Sequence, residues 1–538
     1  MRLCDQWLSI IHTLRDIASF CAENYGRNKL FEFRESHNKV KEISYAEFWN
    51  HIQYFSSWLL KNNYRKCRIG VYGDNCYEWI LSYFAITCSG NVVVPIDRDL
   101  SVEEIHERID SAQVSLLIYS YAYSAESDQI RSSNLAKLCM NDIFGHFDDV
   151  NLQESNLKTE YIERIVRIDK DDLAAIIYTS GTTGKSKGVM LSHRNLVSDA
   201  VSCAKAIHIK GGTVLLLPLH HAFPLTVNVL SVMLYGYSIF INQSLRSVSK
   251  DLLYAKPQHL SVVPAVITGL YKKTMEQIQE SGQTKSFQRM IILSKLLLKF
   301  RLDFRRTLFH KFRAAFGGNL ELIISGGAEI DEKYIELFND IGITILNGYG
   351  ITECSPVISC NTLESITQGS VGKAFSCNQV IIHNPDERGI GEVFVKGQNV
   401  MMGYCNDPEK TAKAFTDQWF HTGDLGYMDD EDHVFITGRI KNLIILSNGK
   451  NISPEELENR LLAIPDILEV LIFGQNDRIS AEIYPAKHDL KTLNAIRQAI
   501  HQLNKALPSY KQVNEIIFRT DEFNKTTMHK IKRETAES

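Results

Sequence analysis

Residues 178–189 read YTSGTTGKSKGV. These twelve residues hold three glycines, five Ser/Thr hydroxyls and two lysines. An apolar run, LAAIIY at 173–178, leads into them, and VMLSH at 189–193 leads out. A strand that delivers a Gly/Ser/Thr loop lets backbone N–H groups approach phosphate oxygens without a Cβ in the way. The GKS at 184–186 superficially suggests a Walker A loop. That motif needs a further glycine four residues removed from the GK pair, at 179, and position 179 is Thr. It also runs directly into a helix, whereas the residues here continue as a second β-like run. The stretch therefore predicts a phosphate-holding strand–loop–strand, and excludes an ordinary P-loop ATPase.

Outward from this loop the chain alternates short β-rich runs with helical stretches. RIGVYG (68–73) and NVVVPID (91–97) read as strands around a helix at 76–89. SLLIYS (115–120), LAAIIYTS (173–180), TVLLLPL (213–219), YSIFIN (237–242), HLSVVP (259–264), LELIIS (320–325) and ITILNGYG (343–350) continue the series. Such alternation predicts an α/β fold with sheets covered on both faces by helices. After about 380 the texture becomes β-rich, with GEVFVKG at 391–397 and HVFITGR at 433–439. Ser453 before Pro-Glu-Glu marks a helix start. The last hundred residues then predict a small α+β domain: a helix, strands at 468–474 and 479–484, a helix at 490–506 and a strand at 513–518.

At 538 residues the chain is long enough for two to four domains. Its 44% hydrophobic and 23% charged content is ordinary for a globular protein. A net charge of −4 gives no general reason to expect nucleic-acid binding. The eleven cysteines form no CxxC pair, which argues against zinc ribbons and disulfide scaffolds and fits a reducing compartment. The start, MRLCDQWLSIIHTLRD, lacks the apolar core and cleavage site of a signal peptide. The longest uncharged run, 214–241, is broken by Pro218, His220, His221, Pro224 and Asn228, and reads as buried strand–turn–helix–strand rather than a membrane span. Segment 285–313 differs: it carries nine Lys/Arg and one acid with apolar residues between them. It reads as a solvated helix pair packed on the domain, or as a contact for an anionic membrane surface or acyl lipid.

A series of motifs now supports a family resemblance. YTSGTTGKSKGVMLSHRN resembles the phosphate loop of the AMP-forming adenylate synthetases, the superfamily of acyl-CoA synthetases, adenylation domains and luciferases. PLHHAF (218–223), SGGAEI (325–330), NGYGITECSP (347–356), HTGDLG (421–426), GRIKN (438–442) and NKTTMHKIKR (524–533) resemble its further motifs in the right order. The likeness spans about 40 to 533. It is greatest to bacterial long-chain fatty acyl-CoA synthetases, through the basic insertion before SGGA and the LPLHHAF and SNGKNISPEELE forms.

The resemblance implies a large N-terminal adenylation domain (1–437), a hinge (438–442, with Lys441 as pivot) and a small mobile C-terminal domain (443–538). Thr179, Ser180, Gly181, Thr182, Thr183, Gly184 and Lys187 would cradle the β- and γ-phosphates of ATP. Gly327, Ala328, Asn347, Gly348, Tyr349 and Gly350 would line the adenine, with Tyr349 stacking on it. Asp424 would accept the ribose hydroxyls, and Arg439 would reach the ribose or phosphate from the opposite side of the hinge. Thr352 would touch the α-phosphate and Glu353 would hold Mg²⁺. His221 would shape the acyl site, and Lys530 would bridge the carboxylate and ATP during adenylation. Asn524 and His529 stand where the family has Pro and Gly.

The implied reaction joins a medium- to long-chain fatty acid to CoA through acyl-AMP, in the cytoplasm, with peripheral membrane contact through 285–313. The run 223–235 could line an acyl channel or form a plain buried helix. Two alternatives stay open: an enzyme loading the phosphopantetheine of an acyl carrier protein, and a non-catalytic descendant binding nucleotide or acyl chains.

Overall fold

The computed structural model describes residues 10–36, 39–132, 134–147, 166–179, 186–446, 450–475, 477–525 and 531–533. A seven-stranded sheet forms its largest layer. From one edge the order is Gly403–Tyr404, Lys187–Ser192, Leu173–Thr179, Val92–Ile96, Arg68–Tyr72, Val114–Tyr119 and Ala136–Cys139. The last five run parallel, and Lys187–Ser192 turns back antiparallel on Leu173–Thr179. All of Val92–Ile96 is buried, as its unbroken apolar sequence requires of a strand covered on both faces. The Tyr77–Cys88 helix is buried on nearly every side, which is why its sequence shows no polar stripe.

A second sheet orders His259–Val262, Leu322–Ser325, Thr344–Gly350, Val357–Cys360 and Lys373–Ala374. Its first three strands are parallel. Register pairs Ser325 with Asn347, so SGGA leaves its strand beside the start of NGYG, which continues within the sheet. A four-stranded sheet, Lys39–Ser44, Lys29–Ser36, Ile239–Ile241 and Thr213–Leu215, packs beside them. The β-rich region joins Asn378–His383, Gly391–Gly397, Trp419–Met428 and Val434–Arg439. Residues beyond 440 have a core of their own, built from Leu446, Ile452, Leu457, Ile472, Ile483, Ile496 and their neighbours.

Most expected elements stand within a residue or two of their sequence-based bounds; four features differ from expectation. The 213–219 strand stops at Leu215. Pro218 cannot donate to a ladder, and Asn75 holds the extension instead: its Nδ2 donates to the Leu217 carbonyl at 2.8 Å, and its Oδ1 accepts from Leu219 N at 3.0 Å. The helix within 214–241 is a π-turn, Pro224–Leu230, followed by Ser231–Leu234, and every residue in both is buried. Ser453 sits at the N-cap of Pro454–Leu462 but makes no cap bond. Its hydroxyl donates to Glu455 Oε2 at 2.9 Å. The basic segment 285–313 is one long helix, Thr284–Lys299, followed by two single turns. Among the described residues no helix is long and apolar enough to cross a membrane.

Candidate functional site

The hairpin that opens the site is fixed at its base. Thr179 and Lys187 face each other in register. Beyond Ser192 the chain enters the His193–Ala206 helix through a capping box, in which Ser192 and Asn195 satisfy each other's backbone N–H groups. Asn195 Nδ2 also donates to the carbonyls of Gln398 and Val400 at 2.7 and 2.8 Å. That bond ties the phosphate hairpin to the loop before Gly403–Tyr404, which adds a strand to Lys187–Ser192. Ser180, Gly181, Thr182, Thr183 and Gly184 lie outside the described residues, as does Lys530.

Tyr404 is a participant that the sequence reading missed. Its hydroxyl donates to Glu353 Oε1 at 2.9 Å. The Lys187 ammonium lies 4.7 Å from its ring centroid. Met401 N donates to the Glu353 carbonyl at 2.8 Å, so the Thr352–Cys354 turn carrying Thr352 and Glu353 is held from both sides. Nothing local in GYCNDPEK announces this, because it depends on pairing Tyr404 with Val189, more than 200 residues earlier.

On the other flank, Asp424 is 4% exposed. Its Oδ2 accepts from Tyr349 Oη at 2.7 Å and its Oδ1 from Arg439 Nε at 2.5 Å. The sequence reading put Arg439 across the hinge from Asp424. In the structure it stands on the adjacent strand, directly opposite Asp424 in register, because the 419–439 hairpin folds back on itself. Burial and the Asp424 charge push the Tyr349 phenol far above its ordinary range. Burial works against the charge on Arg439, but Asp424 more than offsets it and the guanidinium is held above its usual value.

Lys441, expected at the hinge, stands close to other charges of the site. Its ammonium is pushed below its ordinary value, first by burial and then by the charges of Lys187 and Arg439, against the opposing pull of Glu353. Lys187, Arg439 and Lys441 are thus close enough for their charges to act on one another and on Glu353, with Arg439 itself paired to Asp424. That field is suited to a polyanion.

The residues expected to line the base lie where Leu322–Ser325 ends and along Thr344–Gly350. Gly327 has φ +83°, a conformation that favours glycine, and Ala328 follows it. A Cβ on Gly350 would stand 1.9 Å from the Pro356 carbonyl oxygen. Gly348 runs against Cys360, with a Cβ placed 3.2 Å from its sulfur. Asn347 Oδ1 is buried without a hydrogen-bond partner among the described residues, so an acceptor waits beside Tyr349.

In the PLHHAF motif, His221 lies against His220, ring centroids 4.2 Å apart. His220 Nε2 stands 3.4 Å from Asp97 Oδ2. Burial would raise the Asp97 carboxyl, yet the His220 partner outweighs it and holds the group well below the usual carboxylate range. Thr226 of the buried π-turn donates to the Ser355 carbonyl at 2.9 Å, two residues from Glu353.

The small domain meets the site at SGGAEI, where Asn459 Nδ2 donates to Glu329 Oε2 at 2.5 Å. The residues flanking 526–530 are anchored: Lys525 bridges Ile531, and Arg533 Nη2 grips both oxygens of Glu458 at 2.7 and 2.6 Å.

Magnesium takes few protein ligands and keeps water and substrate phosphates in its shell. Among the described residues no three His, Cys, Asp or Glu side chains form a metal cage. A single oriented carboxylate, Glu353, fits that demand.

A family model described as AMP-binding enzyme matches residues 21–405, and one described as AMP-binding enzyme C-terminal domain matches 441–538. Long-chain-fatty-acid–CoA ligase 5 of Rattus norvegicus is 28% identical over 485 residues, 83% of this chain and 71% of that protein. Long-chain-fatty-acid–CoA ligase FadD15 of Mycobacterium bovis is 30% identical over 431 residues, 76% of this chain and 71% of its own length. Among solved structures, the anthranilate CoA ligase AuaEII with anthranoyl-AMP superimposes with a TM-score of 0.77 at 19% identity, covering 97% of this chain and 96% of that one. ATP-bound MatB from Rhodopseudomonas palustris gives 0.76 at 24% identity, covering 95% and 96%. The chain belongs to the AMP-binding enzyme family, and within it to the AMP-forming ligases that join a carboxylic acid to a thiol.

Proposed function

We propose that the protein activates a medium- to long-chain fatty acid with ATP and passes the acyl group to CoA. The observation that carries this reading is the pair of charged groups on either flank: Glu353 held by Tyr404 with the Lys187 ammonium over its ring, and the buried Asp424 held by Arg439. The substrate carboxylate, already ionised at neutral pH, needs no base. Its oxygen attacks the α-phosphorus, the bond from that phosphorus to the bridging oxygen breaks, and pyrophosphate leaves with the electron pair. The barrier is one of bringing anions together and holding them in line, so positioned cations are the appropriate catalysts.

In this reading Lys187 and the 179–184 loop hold the departing phosphates. Thr352 meets the α-phosphate. Asn347 offers its free oxygen to the amino group of the adenine, Gly327, Ala328, Gly348 and Gly350 shape the base slot, and Tyr349 stacks there. Asp424 receives the ribose hydroxyls, sharing its oxygens with the Tyr349 and Arg439 donors, since each carboxylate oxygen has two lone-pair directions. Mg²⁺ held by Glu353 would neutralise phosphate charge. Lys530 brings its ammonium to the carboxylate. In the second step the CoA sulfur attacks the acyl carbonyl, the bond to AMP breaks, and the thiol proton passes to water. Residues 438–442 provide the pivot for the small domain between the two steps, with Lys441 turning away from the phosphate region.

The fatty acid is supported by the buried apolar 224–234 segment next to the Ser355 carbonyl and by the substrates in the relatives' names. Apolar burial rewards a long chain by about 0.8 kcal/mol per CH₂. His221 shapes the carboxylate end of that path.

The test is ATP-dependent AMP release against a panel of carboxylates, with free CoA or an acyl carrier protein supplied. AMP release with long acids and CoA is expected. Release only with the carrier protein would redirect the second step, and no release with any acid would defeat the reading. Lys530→Ala should sharply reduce pyrophosphate release yet still convert pre-made acyl-adenylate; equal loss of both half-reactions would remove Lys530 from its role.

A further inference from the structure

The Thr284–Lys299 helix has two sharply different faces. Phe287 and Ser294 are buried, and Met290 and Ile291 pack beside them on the core of the second sheet. At 100° per residue these lie opposite Lys285, Arg289, Ile292, Leu293, Leu296, Lys299 and Phe300, which share one arc of about 120°. That second arc faces water. Ile292 and Phe300 are each 70% exposed and Leu296 is 51% exposed. The chain then turns at Arg301, φ +61°, into Leu302 and Phe304, which are also exposed. Isolated exposed leucines need no explanation, but six large apolar side chains within thirteen residues form a patch.

The charges around this patch are one-sided. Several basic residues of the segment are already committed. Arg313 is buried and donates to the carbonyls of Leu320, Ile341 and Gly342. Lys295 pairs with Asp340, Arg306 with Glu321 and Arg305 with Asp303. Lys285, Arg289, Lys299 and Arg301 form no ion pair among the described residues, and the arc that carries the apolar stripe contains no acid. An apolar ridge bordered by uncommitted cations matches the interface of an anionic bilayer, where the ridge enters the acyl boundary and the cations meet phosphate headgroups.

We propose that this face of the Thr284–Lys299 helix, with the turn to Phe304, docks the protein on an anionic phospholipid surface. The choice of a bilayer over a protein partner rests on the fatty-acid reading of the site, because a long-chain acid partitions into that same leaflet.

The test uses the full chain and sedimentation with vesicles of phosphatidylcholine alone or mixed with phosphatidylglycerol, without ATP or fatty acid. Wild type should sediment with the anionic vesicles and be released by high salt. I292S/L296S/F300S and, separately, K285E/R289E/K299E should each weaken binding by about tenfold or more. Both variants change exposed side chains, and unchanged thermal unfolding will show that they fold. The proposal is overturned if wild type stays in the supernatant, if either variant sediments like wild type, or if wild type is a dimer that the serine variant splits, since the face would then belong to a second copy. AMP release with detergent-solubilised palmitate should be equal in all three proteins. Vesicle binding without that activity would defeat the fatty-acid reading and leave the docking face standing. Activity without vesicle binding would do the reverse.

Discussion

The nucleotide site and the outer face of the Thr284–Lys299 helix invert the usual arrangement of a folded protein in opposite ways. The first hides charge: Asp424 is nearly sealed from water, and each of its oxygens is held by a donor. The second shows hydrocarbon: Ile292, Leu296 and Phe300 stand in water. Neither arrangement helps the isolated fold. A buried carboxylate loses its hydration and recovers it only through well-placed partners. Exposed apolar side chains forgo burial that would stabilise the chain. Each departure is what a binding role outside the fold would require, a polyphosphate in the reading proposed for one and a lipid surface in that proposed for the other.

Breaking the buried side should have the largest effect. Asp424→Ala strands the Arg439 and Tyr349 donors and removes the ribose acceptor. Losing one member of a buried, hydrogen-bonded charge pair costs about 2–5 kcal/mol, so kcat/KM for ATP should fall on the order of a thousandfold in steady-state assays. Glu353→Gln keeps an acceptor for Tyr404 but removes the charge. AMP release should drop by about a hundredfold, and titration with Mg²⁺ should show that more of the ion is needed. Tyr404→Phe keeps the ring under Lys187 and deletes one hydrogen bond worth about 1 kcal/mol, so roughly a fivefold loss in kcat/KM is expected.

Burial should also leave a trace in stability against pH. His193 accepts from Leu14 N at 3.2 Å, and burial holds its pKa down to about 3. In the unfolded chain the same imidazole titrates near 6.5, at about its model-peptide value. Below that pH the unfolded state takes up a proton that the folded state refuses, so stability is complete above about 6.5 and falls as pH drops toward 3. Thermal unfolding should show a midpoint that is flat above neutrality and declines below it. A His193→Asn variant should show a shallower decline. On the exposed side, Ile292→Ser should change folding stability by less than about 0.5 kcal/mol in a urea melt, which sharpens the contrast with Asp424.

Much of this was legible in the sequence, because the governing patterns are local. Unbroken apolar runs such as VVVPI gave buried strands, and the pattern at 76–89 gave the Tyr77–Cys88 helix. Elements failed at their ends, where a distant side chain decides. Asn75 ends the strand at Leu215, and Glu455 draws the Ser453 hydroxyl away from its cap. In the site, motifs located Glu353, Asp424 and Arg439 in the chain but not their partners. Tyr404 reaches Glu353 only through strand pairing across two hundred residues. The register that sets Arg439 against Asp424 depends on a hairpin that no motif spells out. The motif places Lys441 at the hinge, while the charges of Lys187 and Glu353 near it come from contacts that sequence order does not show.

In a ligase of this family the carboxylate is activated through ATP before any thiol takes part. Exchange of labelled pyrophosphate into ATP, measured on the full chain without CoA, tests it most directly. A long-chain fatty acid should be required for exchange, and AMP should accumulate only once CoA is added. Exchange that ignores the acid, or no exchange with any acid, would contradict it.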